Sequence, residues 1–217
     1  AGGAGGRVAG GLAPGCVDVR GNGAGGGMRD TAPTEAGIDT IAAEHRQVGT
    51  VAVMPTGGTD QPDVLDAAAE AAIAAKNDNS IVGLHIEGPH ISAKRRGTHN
   101  TAYIRDLDAR TMDVVAHLCA QDVTVMITLA PEAATSMQIA TLSATDAIVS
   151  IGHTDAPASL AEAAIAAGAR CSTHLFIAMS HLEDPAPGTV VHLTISAAPA
   201  AIHHRRPHAD IVSSTLD

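Results

Sequence analysis

Three short segments carry side chains suited to holding a divalent metal: Glu87 in HIEGPH, His153 in SIGHTDA and His174 in CSTHLF. Two imidazoles and a carboxylate fill three positions of a tetrahedral ion. The fourth stays open for a water, which the ion acidifies toward neutral pH. Taken singly, a histidine at a strand end is commonly no more than a hydrogen-bonded structural group. Three ligand-type residues at strand ends, each bounded by Gly, Thr or Pro, favour one shared site. Cys171 lies three residues before His174 and on a strand would face the other way, so it is read as core packing rather than as a ligand. The Gly-rich stretch GNGAGGG (21–27) lacks the G-x-x-x-x-G-K-[ST] spacing of a phosphate loop and is read as a turn.

These groups can meet only if the elements behind them are parallel strands whose carboxyl ends share one face. The chain alternates accordingly. CVDVR (16–20), TVAVMP (50–55), SIVGLHIE (80–87), DVTVMITLA (122–130), DAIVSIGH (146–153) and ARCSTHLF (169–176) read as buried-type strands. Between them lie helical stretches: 34–48 with Thr34 as N-cap and Ile38, Ile41, Ala42 and His45 on one face, 62–76 opened by Pro62, about 106–120, PEAATSMQIATL (131–142) and 154–168. Successive βα units argue for an α/β fold and favour a (β/α)8 TIM-type barrel over a doubly wound sheet. TVVHLTIS (189–196) and DIVSS (210–214) are candidates for its last two strands, with little helix between them. The barrel is therefore expected to be incomplete toward its C-terminal end. No internal repeat or boundary divides the chain, and residues 1–217 read as a single domain.

Composition sets the outer limits. The chain has 217 residues, 45% of them hydrophobic, with no Trp, one Tyr and one Phe, so its core must be built from Ala, Val, Ile and Leu. Lys+Arg 13 against Asp+Glu 23 gives a net charge of −10, which leaves no basic stripe for a nucleic-acid backbone. No apolar run approaches the ~18 residues of a membrane span. Cys16, Cys119 and Cys171 are odd in number and far apart, as expected of free thiols in a reducing compartment. The opening AGGAGGRVAGG has no signal-peptide pattern and reads as the start of a fragment or processed product, with the cytoplasm as the expected location.

The ordered motifs GLHIEGPHIS, KRRGTHN, TLAPE, SIGHTDA and THLFIAM, preceded by PGCVDVRGNGAGG, resemble the N-acetylglucosamine-6-phosphate deacetylase family of the amidohydrolase superfamily over about residues 11–188. The resemblance implies a metal-dependent hydrolase that removes acetate from N-acetylglucosamine 6-phosphate, a homodimer, and a small β-sandwich, which is expected to be missing from residues 1–217. It also implies one divalent ion, zinc or iron, on Glu87, His153 and His174. Many amidohydrolases carry a His-x-His pair on the first strand, where this chain has Asp18-Val19-Arg20-Gly21-Asn22. A second ion is therefore not expected.

By the same resemblance His99 contacts the substrate beside the scissile amide and polarises its carbonyl, with the Thr98 backbone next to it. Ile177 and Ala178 stand where the family has an Asn-Ala pair that holds the sugar phosphate. Pro185 stands where it has an arginine. His203 in AAIHH matches a further substrate contact, and Asp217 is the candidate for the acid/base carboxylate after the last strand. Lys94, Arg95 and Arg96 supply local positive charge, although such a run is usually a solvated loop. Two other readings stay beside the active deacetylase: a catalytically impaired metal-binding relative, and a deacetylase whose sugar specificity has changed at Ile177 and Pro185.

Overall fold

The β-branched runs become strands and the Ala-rich runs become helices because each buries one face against the other. The computed structural model describes residues 16–21, 23–24, 27–28, 34–47, 50–77, 80–175, 177–180 and 189. β1 (Cys16–Gly21) is followed by a small antiparallel hairpin, β2 (Gly23–Ala24) with β3 (Gly27–Met28), where the glycine turn is expected. Then come α1 (Glu35–Gln47), β4 (Thr50–Gly57), α2 (Pro62–Ala75), β5 (Leu84–Glu87), α3 (Ala109–Ala120), β6 (Val125–Leu129), α4 (Ser136–Ala144), β7 (Ile148–Ile151), α5 (Ala158–Ala166) and β8 (Cys171–Ser172).

The sheet order is β1-β4-β5-β6-β7-β8, and every neighbouring pair is parallel. Each crossover thus advances by one strand in the same direction, with no reversal of order. A doubly wound sheet would reverse at a switch point; this order is that of a barrel wall. The described strands form an open part of a (β/α)8 barrel.

Alternation along the strands separates two environments. Leu84 and Ile86, Val125, Ile127 and Leu129, and Val149 and Ile151 pack outward against Val115 and Leu118 of α3 and Ile139 and Leu142 of α4. Ile127, Leu129, Val149 and Ile151 are 0% exposed. Burial of such a side chain contributes about 1.5–3 kcal/mol. On the other face, Met54 and Met126 pack with Ile148 and Cys171. One residue pair nearer the carboxyl ends, the same face turns polar. His85 lies between Thr56 Oγ1 (3.1 Å from Nδ1) and Thr128 Oγ1 (2.7 Å from Nε2). Thr128 continues to Thr173 Oγ1 at 2.8 Å, and Thr173 to Ser150 Oγ at 2.7 Å. Glu87 is the next residue on that face of β5.

Several boundaries differ from the sequence reading for local reasons. Residues 131–142 do not form one helix: Pro131–Ala133 makes a 3-10 turn, and α4 starts afresh at Thr135, whose hydroxyl and Gln138 form a capping box. The segment 169–176 keeps only two strand residues, because its end turns to present His174. Thr34 caps α1 through Gly37 N (3.2 Å), and Ile38, Ile41 and Ala42 are buried against Val53, Ala71 and Ala75. Of the two expected late strands, only Thr189 is described. It hydrogen-bonds to Ser180 Oγ and Ala156 O, and the other residues of 189–196 and all of 210–214 lie outside the described residues.

Candidate metal centre

Glu87 ends β5, His153 sits two residues past β7 and His174 two residues past β8. Both histidines have left-handed backbone, with φ 49° and 57°, a conformation that costs a non-glycine residue about 1–2 kcal/mol. The strands turn sharply there, at the cost of that strain, and the two imidazoles converge on the carboxylate. His153 Nε2 lies 3.2 Å and His174 Nε2 3.1 Å from the same oxygen, Glu87 Oε1. Glu87 is 1% exposed and His153 4%.

The donor chemistry fits a cation. His153 Nδ1 is 2.8 Å from the carbonyl of Arg95, which can only accept, so that nitrogen carries the hydrogen. In a neutral ring Nε2 then presents a lone pair to a carboxylate oxygen. A metal ion between them, or a proton on either group, relieves that opposition. A tetrahedral ion with bonds of about 2.0–2.1 Å holds its ligand atoms about 3.3 Å apart, close to the spacings observed. Among the described residues, Glu87, His153 and His174 are the group whose ligand atoms lie within 4.8 Å of one another. A ligand histidine whose other nitrogen binds a backbone carbonyl is the usual outer arrangement of such sites.

The loop that supplies this carbonyl is itself tied down. Asp155 accepts from Arg95 Nε at 2.8 Å and Lys94 Nζ at 2.9 Å, and the Lys94 ammonium in particular holds the Asp155 carboxyl below its ordinary value. Glu132 accepts from the Asp155 amide at 2.7 Å and the Thr154 hydroxyl at 2.5 Å, fixing the turn just after His153. Gly97 packs over the ring: a Cβ there would lie 3.5 Å from His153 Cε1. Gly152 is required on the other side, since a Cβ would come within 2.8 Å of Thr128 Cγ2 and 2.9 Å of Thr173 O. The His99 ring meets His153 edge-on, with centroids 4.7 Å apart.

No family model matches the chain. Among curated relatives, it is 41% identical over 182 residues to the N-acetylgalactosamine-6-phosphate deacetylase of Shewanella sp. (strain ANA-3), covering 82% of this chain and 45% of that protein. It is 36% identical over 204 residues to the N-acetylglucosamine-6-phosphate deacetylase of Mus musculus, covering 90% of this chain and 49% of that one. The crystal structure of the enzyme of that name from Pasteurella multocida superposes with a TM-score of 0.77 at 30% identity, over 82% of this chain and 48% of the other. The chain is thus similar to N-acetylglucosamine-6-phosphate deacetylases over most of its own length. It spans about half the length of the relatives it matches.

The family's motifs now have positions. His99, 5% exposed, is beside His153, and exposed Thr98 leads into it through the turn closed by His99 N to Arg96 O at 3.0 Å. Ile177 is 50% exposed and follows His174 in a tight turn, its amide 2.7 Å from His174 O. Ala178, at φ 51°, accepts from Thr154 N at 3.1 Å. Asp217, His203, Pro185 and the side chain of Arg20 lie outside the described residues. Asp18 pairs with His45 Nδ1 at 3.2 Å.

The expectation of a solvated basic loop fits Lys94, 79% exposed, and Arg96, and needs correction at Arg95. Lys94 and Arg95 are engaged by Asp155, and the loop's carbonyl orients a candidate ligand. Cys171 is core packing, as read, and burial pushes its thiol up. Thr59, Glu132, Asp155 and the His85 hydroxyl layer were missed. Each acts through a partner far away in the chain, and only the carboxylates beside TLAP and SIGHT offered any local cue.

Proposed function

We propose that the chain acts as a metal-dependent deacetylase on N-acetylglucosamine 6-phosphate, releasing acetate and glucosamine 6-phosphate in amino-sugar breakdown. The convergence of Glu87, His153 and His174 at the strand ends carries this reading. These three residues would hold one zinc or iron ion. When bound, the ion supplies Lewis-acid polarisation of water and of the acetamide carbonyl. His99 stands beside the site and donates a hydrogen bond to the carbonyl oxygen as negative charge grows there. Thr98, Ala178 and His203 contact the sugar phosphate. Asp217 takes a proton from the attacking water and passes it to the departing amine, so that the leaving group is neutral. His203 and Asp217 enter through the family resemblance, since neither is among the described residues. A cytoplasmic setting belongs to the same reading and fits the free thiol of Cys119, and no helix among the described residues is long and apolar enough to cross a membrane. Assembly as a homodimer belongs to the same reading, and light scattering tests it.

One observation favours a second reading, altered sugar specificity. Ile177 places an exposed apolar side chain where the family resemblance puts an amide, and Lys94 and Arg95 are already engaged by Asp155. The test has two parts. Metal analysis of the purified chain is expected to find about one ion per chain, lost in Glu87→Ala. Acetate release is then compared on N-acetylglucosamine 6-phosphate, its galactosamine epimer and the unphosphorylated sugars. Release only from unphosphorylated sugars would establish the second reading. Bound metal with no release from any sugar would mark an impaired relative, and unchanged metal content in Glu87→Ala would overturn the site.

A further inference from the structure

We infer that the Thr59 hydroxyl is a positioning group that holds His99 in the tautomer protonated at Nε2. The inference deepens the deacetylase reading and rests on it for its catalytic consequence. Thr59 lies in the loop that follows β4, and its Oγ1 is 2.8 Å from His99 Nδ1 and 3.5 Å from the Glu87 carbonyl. A hydroxyl has one hydrogen to donate. At 2.8 Å the ring nitrogen is a well-placed acceptor, whereas 3.5 Å lies at the limit for the carbonyl. The hydrogen therefore goes to Nδ1, and the neutral imidazole carries its own hydrogen on Nε2. That is the state a neutral ring needs if Nε2 is to donate to a developing oxyanion.

The backbone beside the candidate centre is built around this hydroxyl. Gly88 has φ 74°, and a Cβ there would sit 2.2 Å from Thr59 Oγ1. Any other residue after Glu87 would push the hydroxyl away from His99. The glycine of the HIEGPH motif thus has an explanation that does not depend on the metal. The His99 ring also packs edge-on against the His153 ring, 4.7 Å between centroids at 76°. Thr59 itself touches no reacting atom in this account. It sets which nitrogen of His99 has a hydrogen to give.

Long-range nitrogen–proton NMR on the uniformly 15N-labelled full chain reads the tautomer directly, with His99 assigned by loss of its signals in His99→Gln. The expected spectrum has an unprotonated Nδ1 and a protonated Nε2. A protonated Nδ1 in the wild-type chain overturns the inference. Thr59→Val should move the His99 signals toward the average of a ring that samples both tautomers and lower kcat about tenfold with KM nearly unchanged. Thr59→Ser, which keeps the hydroxyl, should restore both the spectrum and most of kcat. Wild-type signals and kcat in Thr59→Val would show that the hydroxyl sets nothing. If no variant releases acetate while the wild-type spectrum shows the Nε2–H form, the deacetylase reading fails and the tautomer assignment stands.

Discussion

The histidines of this chain divide by what their two nitrogens touch. His90 is fully buried, with Nδ1 3.1 Å from Arg105 O and Nε2 2.9 Å from Thr111 Oγ1, and burial pushes its pKa down. Both nitrogens are used in holding a loop, and none is left for chemistry. His85 is likewise locked between Thr56 and Thr128. His153 differs, because a carbonyl takes one nitrogen and the other faces a carboxylate. The quality of that site depends on how firmly Arg95 O is placed, and Asp155 is the side chain that places it. Asp155→Asn keeps the shape but removes the charge that binds Arg95 and Lys94. Metal affinity is expected to fall about tenfold, read by competition with a chelator. An unchanged affinity would mean that the loop holds its carbonyl without the ion pair.

At the scale of elements, caps decide where the helices that follow the strands begin. α3 starts at Asp108, whose carboxylate accepts from Thr111 N at 2.8 Å and Arg105 Nε at 2.7 Å. Burial alone would raise the Asp108 pKa, but the Arg105 guanidinium and Thr111 bring it down from 3.8 to about 2. Its folded-state pKa is depressed, so its contribution is present above pH 3.8 and is lost as the pH falls through about 2. Asp108→Ala should cost about 1 kcal/mol in urea unfolding near neutral pH, the usual worth of an N-cap. The difference from wild type should shrink as the pH falls through about 2 and be lost only below it. A difference that persisted there would assign the loss to something other than the carboxylate. The same Arg105 offers its carbonyl to His90, so this cap also steadies the segment that follows Glu87 and Gly88.

For the whole molecule, the inner face of the sheet is layered along the strands. Met54, Met126 and Ile148 form an apolar stratum, hydroxyls and His85 form the next, and the candidate ligands lie at the carboxyl end. Thr128 sits at the centre, bonded to both His85 Nε2 and Thr173 Oγ1. Through Thr173, whose carbonyl is close to Gly152, it links the strand ends that present His153 and His174. Thr128→Val keeps the volume and removes the hydroxyl shared by two buried neighbours. It should lower stability by about 1–3 kcal/mol and weaken metal binding with it, whereas Thr128→Ser should retain both. Loss of stability without loss of metal affinity would show that the layer supports the barrel and not the site.

Glu87, His153 and His174 were legible in the sequence because each lies at or just past the carboxyl end of a β-branched run, and parallel strands bring such ends to one face. The strand–helix alternation and the Thr34 cap were legible for a similar reason: they depend on neighbours within a turn or two. Thr59 on His99 and Arg95 on His153 were not. Those contacts span 40 and 58 residues, and the second uses a carbonyl that every residue possesses. Likewise, Arg95 looked like part of a solvated charge run until the fold placed Asp155 against it. Sequence determined which side chains could bind a metal and the order of the elements that carry them. Tertiary structure decided which partner each ring nitrogen meets, because those partners come from distant parts of the chain.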